Sequence, residues 1–402
     1  MAKSWVVLAI LLLFTQCHGG STQIHSTDLA ALRQIKNSLT DIPSAAQFFS
    51  TWDFSSPDPC SSFAGLTCSG SRVTILTLGT GLSDSPGLAG SLPPAISRLA
   101  ALTQLILFAG IVTGPIPPEL AALRRLKVIS LTNNRLTGPI PAEILRLPEL
   151  HTLDLSRNRL SGSIPPAAPH LKILVLAENR LSGEFPGDLP PELIHLDLSG
   201  NLLSGEIPAT LPPALRYLSA ANNRLWGPLS GSLDPLSDLA YVDLSMNEFS
   251  GPVPGSLLRP SVASLLLQRN NLSGGIPASP PWPAAPGSTV DLSHNFLSGE
   301  VGAALAGVET LFLNNNRLSG GVATEYVESV VVGTMKTLYL QHNYLTEFPL
   351  EVGSALPDAA AVCVSYNCMT TPPLGLVACP VSAGNQLSRP AYQCAGFHNS
   401  LD

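Results

Sequence analysis

From about Leu76 to Asn367 one short pattern returns every two dozen residues: two apolar positions one apart, then Asn, then Leu, then often Gly-x-Ile-Pro. The segment NNRLTGPIPAEILRLPELHTLDLSRNRLSGSIPP, which starts at Asn133, holds two cycles. A period of this size constrains the chain more than any other feature. One repeat cannot bury its own apolar face, so the repeats must stack into a solenoid with one continuous core. Aligned on the inward Asn or its replacement, the positions are Gly81, Gly110, Asn134, Asn158, Asn179, Asn201, Asn223, Asn247, Asn270, Asn295, Asn316, Asn343 and Asn367. That makes thirteen repeats, spaced by 21 to 29 residues.

The pattern overrides the prior that 402 residues form two or three globules. Charged residues are 12% of the chain and the net charge is −7, which argues against nucleic acid or an anionic membrane as the main partner. The 37 prolines and 33 glycines fall at repeating positions, so they read as turn chemistry rather than disorder.

Lys3 followed by the apolar run Val6 to Phe14, with Gly19 and Gly20 beyond, reads as a secretory signal too short to span a bilayer. Cleavage is expected after Gly19. No later stretch is apolar enough to cross a membrane, and the tail AGFHNSLD carries no hydrophobic anchor signal. The expectation is a secreted protein of the extracellular space or cell wall. Of seven cysteines, Cys17 leaves with the signal. Cys60 and Cys68 lie before the repeats; Cys363, Cys368, Cys379 and Cys394 lie at their end. An even number grouped at two ends of a secreted chain reads as disulfide-stapled caps. Zinc is disfavoured, because there is no C-x-x-C and no paired His spacing.

Each repeat places two apolar residues, Leu153 and Leu155 for example, on the inner side of a short strand. The Asn that follows is expected to satisfy backbone groups at a buried turn. In Leu-x-Gly-x-Ile-Pro (Leu136 to Pro141, Leu160 to Pro165, Leu203 to Pro208), Gly permits a backbone conformation other residues avoid and Pro fixes the next turn.

This combination resembles the plant-type extracellular leucine-rich repeat, as in receptor-like protein ectodomains and polygalacturonase-inhibiting proteins. The resemblance covers nearly the whole mature chain. It implies an α/β fold: a right-handed leucine-rich-repeat horseshoe with a parallel sheet on its concave face and short 3-10 or irregular segments on its convex face. The N-terminal flank is similar to the helical cap of that family. DLAALRQIKNSL has Leu29, Leu32, Ile35 and Leu39 near helical spacing behind Ser26 and Thr27 as candidate caps. Trp52, Asp53, Asp58, Pro59, Cys60 and Gly65 to Cys68 follow, with Phe63 where the family usually has Trp. The resemblance implies a Cys60–Cys68 disulfide. The last four cysteines allow three pairings and stay open. Expected boundaries are 1–19 for the signal, 20–70 for the N-terminal cap, 71–368 for the repeats and 369–402 for the C-terminal cap.

No G-x-S-x-G, H-E-x-x-H, phosphate loop or dinucleotide fingerprint occurs. Asp154, Asp197, Asp243 and Asp291 fill one outward strand position in alternate repeats. Strands lie roughly 4.8 Å apart, so these aspartates fall about 9–10 Å from each other, too far to share a metal. No enzyme activity, cofactor or metal is expected. Two groups break the small-polar background of the concave face. His195, Tyr217 and Tyr241 share one column, with Arg216, Asp243 and Met246 beside them. Phe312 and Tyr339 share another, with His294, His342 and Tyr366 in a neighbouring one. Aromatic side chains on a non-core face are enriched at interfaces. Arg157 and Arg269 are isolated, which speaks against capture of a peptide's free carboxylate by paired arginines. Asn271-Leu272-Ser273 is a glycosylation acceptor expected at an exposed turn.

These features favour a secreted, non-enzymatic recognition protein that binds a peptide, a protein or a receptor-kinase ectodomain in plant signalling or defence. An inhibitor of an extracellular cell-wall hydrolase and a wall-associated structural protein are the alternatives.

Overall fold

The computed structural model describes residues 23–42, 47–81, 87–278, 282–350, 356–370, 379–384 and 386–398. The expected signal segment and Cys17 lie outside them. The described chain is a leucine-rich-repeat solenoid built on two stacked sheets, one of 14 strands and one of 13. In the larger sheet, an antiparallel pair, Leu66–Ser69 with Arg72–Leu78, opens the array. From Arg72–Leu78 onward every pairing in it is parallel, through to Ala361–Cys363. This is the concave sheet. Its buried positions are almost all Leu or Val, from Leu76 and Leu105 to Leu338 and Val362.

The second sheet was not foreseen. The Leu-x-Gly stretches, read as turn chemistry, are themselves strands: Arg135–Gly138, Arg159–Gly162, Arg180–Glu184 and their equivalents pair in parallel. The glycine conformation was read correctly. At Gly138 and Gly162, φ is 81° and 82°, a left-handed value that L side chains avoid.

The ladder asparagines explain why the two sheets stay in register. Asn201 accepts at Oδ1 from the Leu181 N–H of the preceding repeat (3.0 Å), and its Nδ2 donates to the carbonyls of Leu176 and Leu198 (3.0 Å each). Asn158, Asn179, Asn247 and Asn295 repeat this arrangement. Turning each Asn inward requires the residue before it to adopt a left-handed backbone. Arg157, Glu178, Met246, Arg269, His294, His342 and Tyr366 all have φ between 55° and 61°. Such a residue costs on the order of 1 kcal/mol, which the satisfied buried groups offset. Gly110, in place of Asn, marks a closer approach: a Cβ there would lie 2.6 Å from the Leu88 carbonyl oxygen.

The cap helix runs Ser26–Ser38 and buries Asp28, Ala31, Leu32 and Ile35. Its N-cap is His25, whose ring accepts from the Thr27 N–H (3.3 Å), so Ser26 and Thr27 lie inside the helix rather than capping it. Buried Asp28 pairs with Arg72 (2.9 Å) and accepts from the Val73 N–H (2.9 Å), which ties the helix to the first strand. Trp52 is fully buried among Phe48, Phe49, Phe54 and Phe63, and its Nε1 donates to the Ala64 carbonyl (3.0 Å). Phe63 stacks on Trp52 at 5.2 Å, so the smaller ring fills the family's usual Trp position.

Three disulfides staple the ends: Cys60–Cys68, Cys363–Cys379 and Cys368–Cys394. The second starts from the last concave strand, where Cys363 stands in register with Tyr339.

Candidate recognition surface on the concave sheet

Parallel pairing in exact register turns repeat positions into columns. His195 pairs with Tyr217, and Tyr217 with Tyr241. Neighbouring strands are held at the spacing of the ladder, which brings the three rings face to face. His195 and Tyr217 lie 4.0 Å apart at 6°, and Tyr217 and Tyr241 lie 4.3 Å apart at 4°. Both faces of Tyr217 are covered by its two neighbours, and one face each of His195 and Tyr241 by Tyr217.

Burial pushes the Tyr241 phenol up to about 12, with Asp243 acting in the same direction. Burial also raises Tyr217, assisted by the Asp197 carboxylate. Both phenols stay protonated across physiological pH; the Tyr217 hydroxyl donates to Tyr241, and the Tyr241 hydroxyl to Asp243. Burial lowers the His195 pKa, opposed by Asp197. Asp197 was read only as part of the acidic row, yet it acts on both His195 and Tyr217; the register column carries the signal. Asp197 and Asp243 each accept at Oδ1 from the N–H and Oγ–H of the Ser two residues on, at 2.6–3.1 Å. Arg216 and Met246 are exposed beside the stack, Met246 by half of its surface.

The second aromatic group divides. Phe312 and Tyr339 pair in register and meet edge to face at 5.2 Å. His342 and Tyr366 lie 4.9 Å apart and are engaged by the C-terminal cap. His342 Nε2 lies 3.2 Å from the Ala383 carbonyl, the Tyr366 hydroxyl donates to Gln393 (3.3 Å), and the Arg389 guanidinium sits 4.7 Å over the Tyr366 ring. Arg389 also donates from Nε to the Asn343 carbonyl (2.6 Å). His294 stands apart, next to the Asn315 amide at 3.4 Å. Arg157 is paired with Glu178 (3.3 Å) at the rim. Asn271 is exposed, but it opens a strand of the second sheet, Asn271–Gly274, rather than sitting in a turn.

Residues 25–69 match the leucine rich repeat N-terminal domain, and residues 125–147, 149–171 and 192–213 match the Leucine Rich Repeat. These matches fall on the N-terminal cap and on three of the repeats, and they agree with the leucine-rich-repeat fold of the two stacked sheets. No curated protein sequence matches it. Among solved structures it is similar to the Arabidopsis receptor kinase HAESA in complex with the peptide hormone IDA and the co-receptor SERK1. That likeness has 27% identity, a TM-score of 0.68, and covers 86% of this chain and 58% of that one. PEPR1–AtPEP1 is similar at 26% identity and a TM-score of 0.67, over 86% of this chain and 52% of that one. A plant ice-binding protein is similar at 27% identity and a TM-score of 0.61, over 83% of this chain and all of that one. The chain spans about half the length of the receptors it resembles.

Proposed function

We propose that this is a secreted, non-enzymatic recognition protein whose concave sheet binds a peptide or a receptor-kinase ectodomain in plant signalling or defence. One observation carries the reading: the His195, Tyr217 and Tyr241 rings stacked in one column of the concave sheet. Rigid aromatic groups with polar tips bind at low entropic cost, because few rotamers are lost. Three disulfides fit an oxidising compartment. Likeness to receptors solved with peptide hormones supports the choice of ligand class.

The test is binding of the purified protein to a panel of synthetic secreted peptides and receptor-kinase ectodomains. Tyr217→Ala with Tyr241→Ala is expected to weaken any true partner about tenfold or more, the scale of losing a hot spot. Trp226→Ala, on the second sheet, should leave affinity unchanged. A partner that binds the double variant as tightly as the parent protein would overturn the reading.

A further inference from the structure

The acidic row next to the ring stack has a period that selects a ligand conformation. Register places Asp154, Val175, Asp197, Ser219, Asp243, Leu266 and Asp291 in one column of seven consecutive strands. Aspartates therefore alternate with uncharged residues, recurring every second strand at about 9.6 Å. In each, Oδ1 accepts from the N–H of the Ser two residues on, which fixes the carboxylate. This column and the two beside it, Thr152 to Thr289 and Ser156 to Ser293, hold four aspartates and no Lys or Arg; Lys172 and Arg216 lie beyond one side and Arg157 and Arg269 beyond the other. Burial raises the pKa of Asp154 and of Asp291, opposed by the hydrogen bonds from Ser156 and Ser293.

Few chain conformations present like side chains at this interval along one face. An extended strand repeats its face every two residues, at about 6.7 Å, and again at about 13.4 Å. Two turns of α-helix advance about 10.8 Å, so the mismatch grows to about 3.6 Å over three intervals. Polyproline II has three residues per turn at 3.1 Å each, a repeat of about 9.3 Å, and stays within about 1 Å over the same span.

Resting on the recognition role proposed above, we propose that the column Asp154–Asp291 docks a basic, proline-rich segment in the polyproline II conformation, with Lys or Arg at every third residue. The cations meet the four carboxylates. The intervening prolines lie over Val175, Ser219 and Leu266. A polyproline II backbone makes no internal hydrogen bonds, so the segment docks without giving up any of its own. Aromatic edges beside apolar gaps are the usual floor for such segments.

The experiment is calorimetric titration with acetylated, amidated (Pro-Pro-Lys)5. Two controls of equal charge are used, (Pro-Pro-Pro-Lys)5 with the wrong period and (Gly-Gly-Lys)5 without the conformation. The first peptide is expected to bind at least tenfold tighter than either control. Asp197→Asn with Asp243→Asn should lower its affinity at least tenfold. Asn retains the Oδ1 acceptor for Ser199 and Ser245, and an unchanged thermal midpoint would confirm that the variant is folded. Equal binding of all three peptides, or no binding of the first, overturns the inference. The recognition role is judged separately, by whether any partner of the panel depends on Tyr217 and Tyr241.

Discussion

Asn201→Ala removes one rung of the asparagine ladder, and its cost can be worked from the contacts. The side chain is 6% exposed and makes one acceptor bond and two donor bonds at 3.0 Å. Alanine leaves the Leu181 N–H without an acceptor and the Leu176 and Leu198 carbonyls short of a donor. A buried group stripped of its partner costs about 1–3 kcal/mol, with carbonyls toward the lower end because they hold a second lone pair. The sum is about 3–5 kcal/mol, a large fraction of a typical stability of about 5–15 kcal/mol. Urea unfolding followed by circular dichroism and by tryptophan fluorescence reads the loss. Because repeats interact chiefly with neighbours, the damage should be local, with the Leu181 amide losing its protection from hydrogen exchange first. A loss below about 1 kcal/mol, or uniform exchange along the chain, would refute the claim that this Asn couples the two sheets.

Both phenols of the stack have pKa values raised by burial, so the folded state holds protons that the unfolded chain releases from about pH 10 upward. Stability from this source is complete below pH 10 and is lost as pH rises toward 12; Tyr217→Phe with Tyr241→Phe should flatten that alkaline loss in thermal midpoints. His195 has a lowered pKa, so its contribution is present above the usual histidine value and falls away on acidification; its ring signals in NMR should titrate below pH 6.5. Cys368→Ser with Cys394→Ser opens a loop of 26 residues' separation and should cost about 3 kcal/mol, measured by urea unfolding. Secreted expression should show a glycan mass at Asn271 that Asn271→Gln removes; no mass shift would exclude modification there.

Much of this molecule is legible without coordinates, because a repeat that cannot bury its own face admits one solution. Leu153 and Leu155 inside, Asn158 at the turn and Asp154 outside follow from alternation and period alone. So does the column of His195, Tyr217 and Tyr241, since fixed register converts sequence offset into proximity. Three matters needed the tertiary structure. Leu-x-Gly forms a second sheet because neighbouring repeats offer it hydrogen-bond partners, and no single repeat contains them. The pairing of Cys363 with Cys379 and of Cys368 with Cys394 depends on how the cap folds back over the last strands. The same fold-back engages His342 and Tyr366 through Ala383, Gln393 and Arg389, while the His195 stack lies free of it. Local periodicity fixes what repeats with its neighbours; contacts between the last repeat and a non-repeating tail follow no period, so only the folded chain decides them.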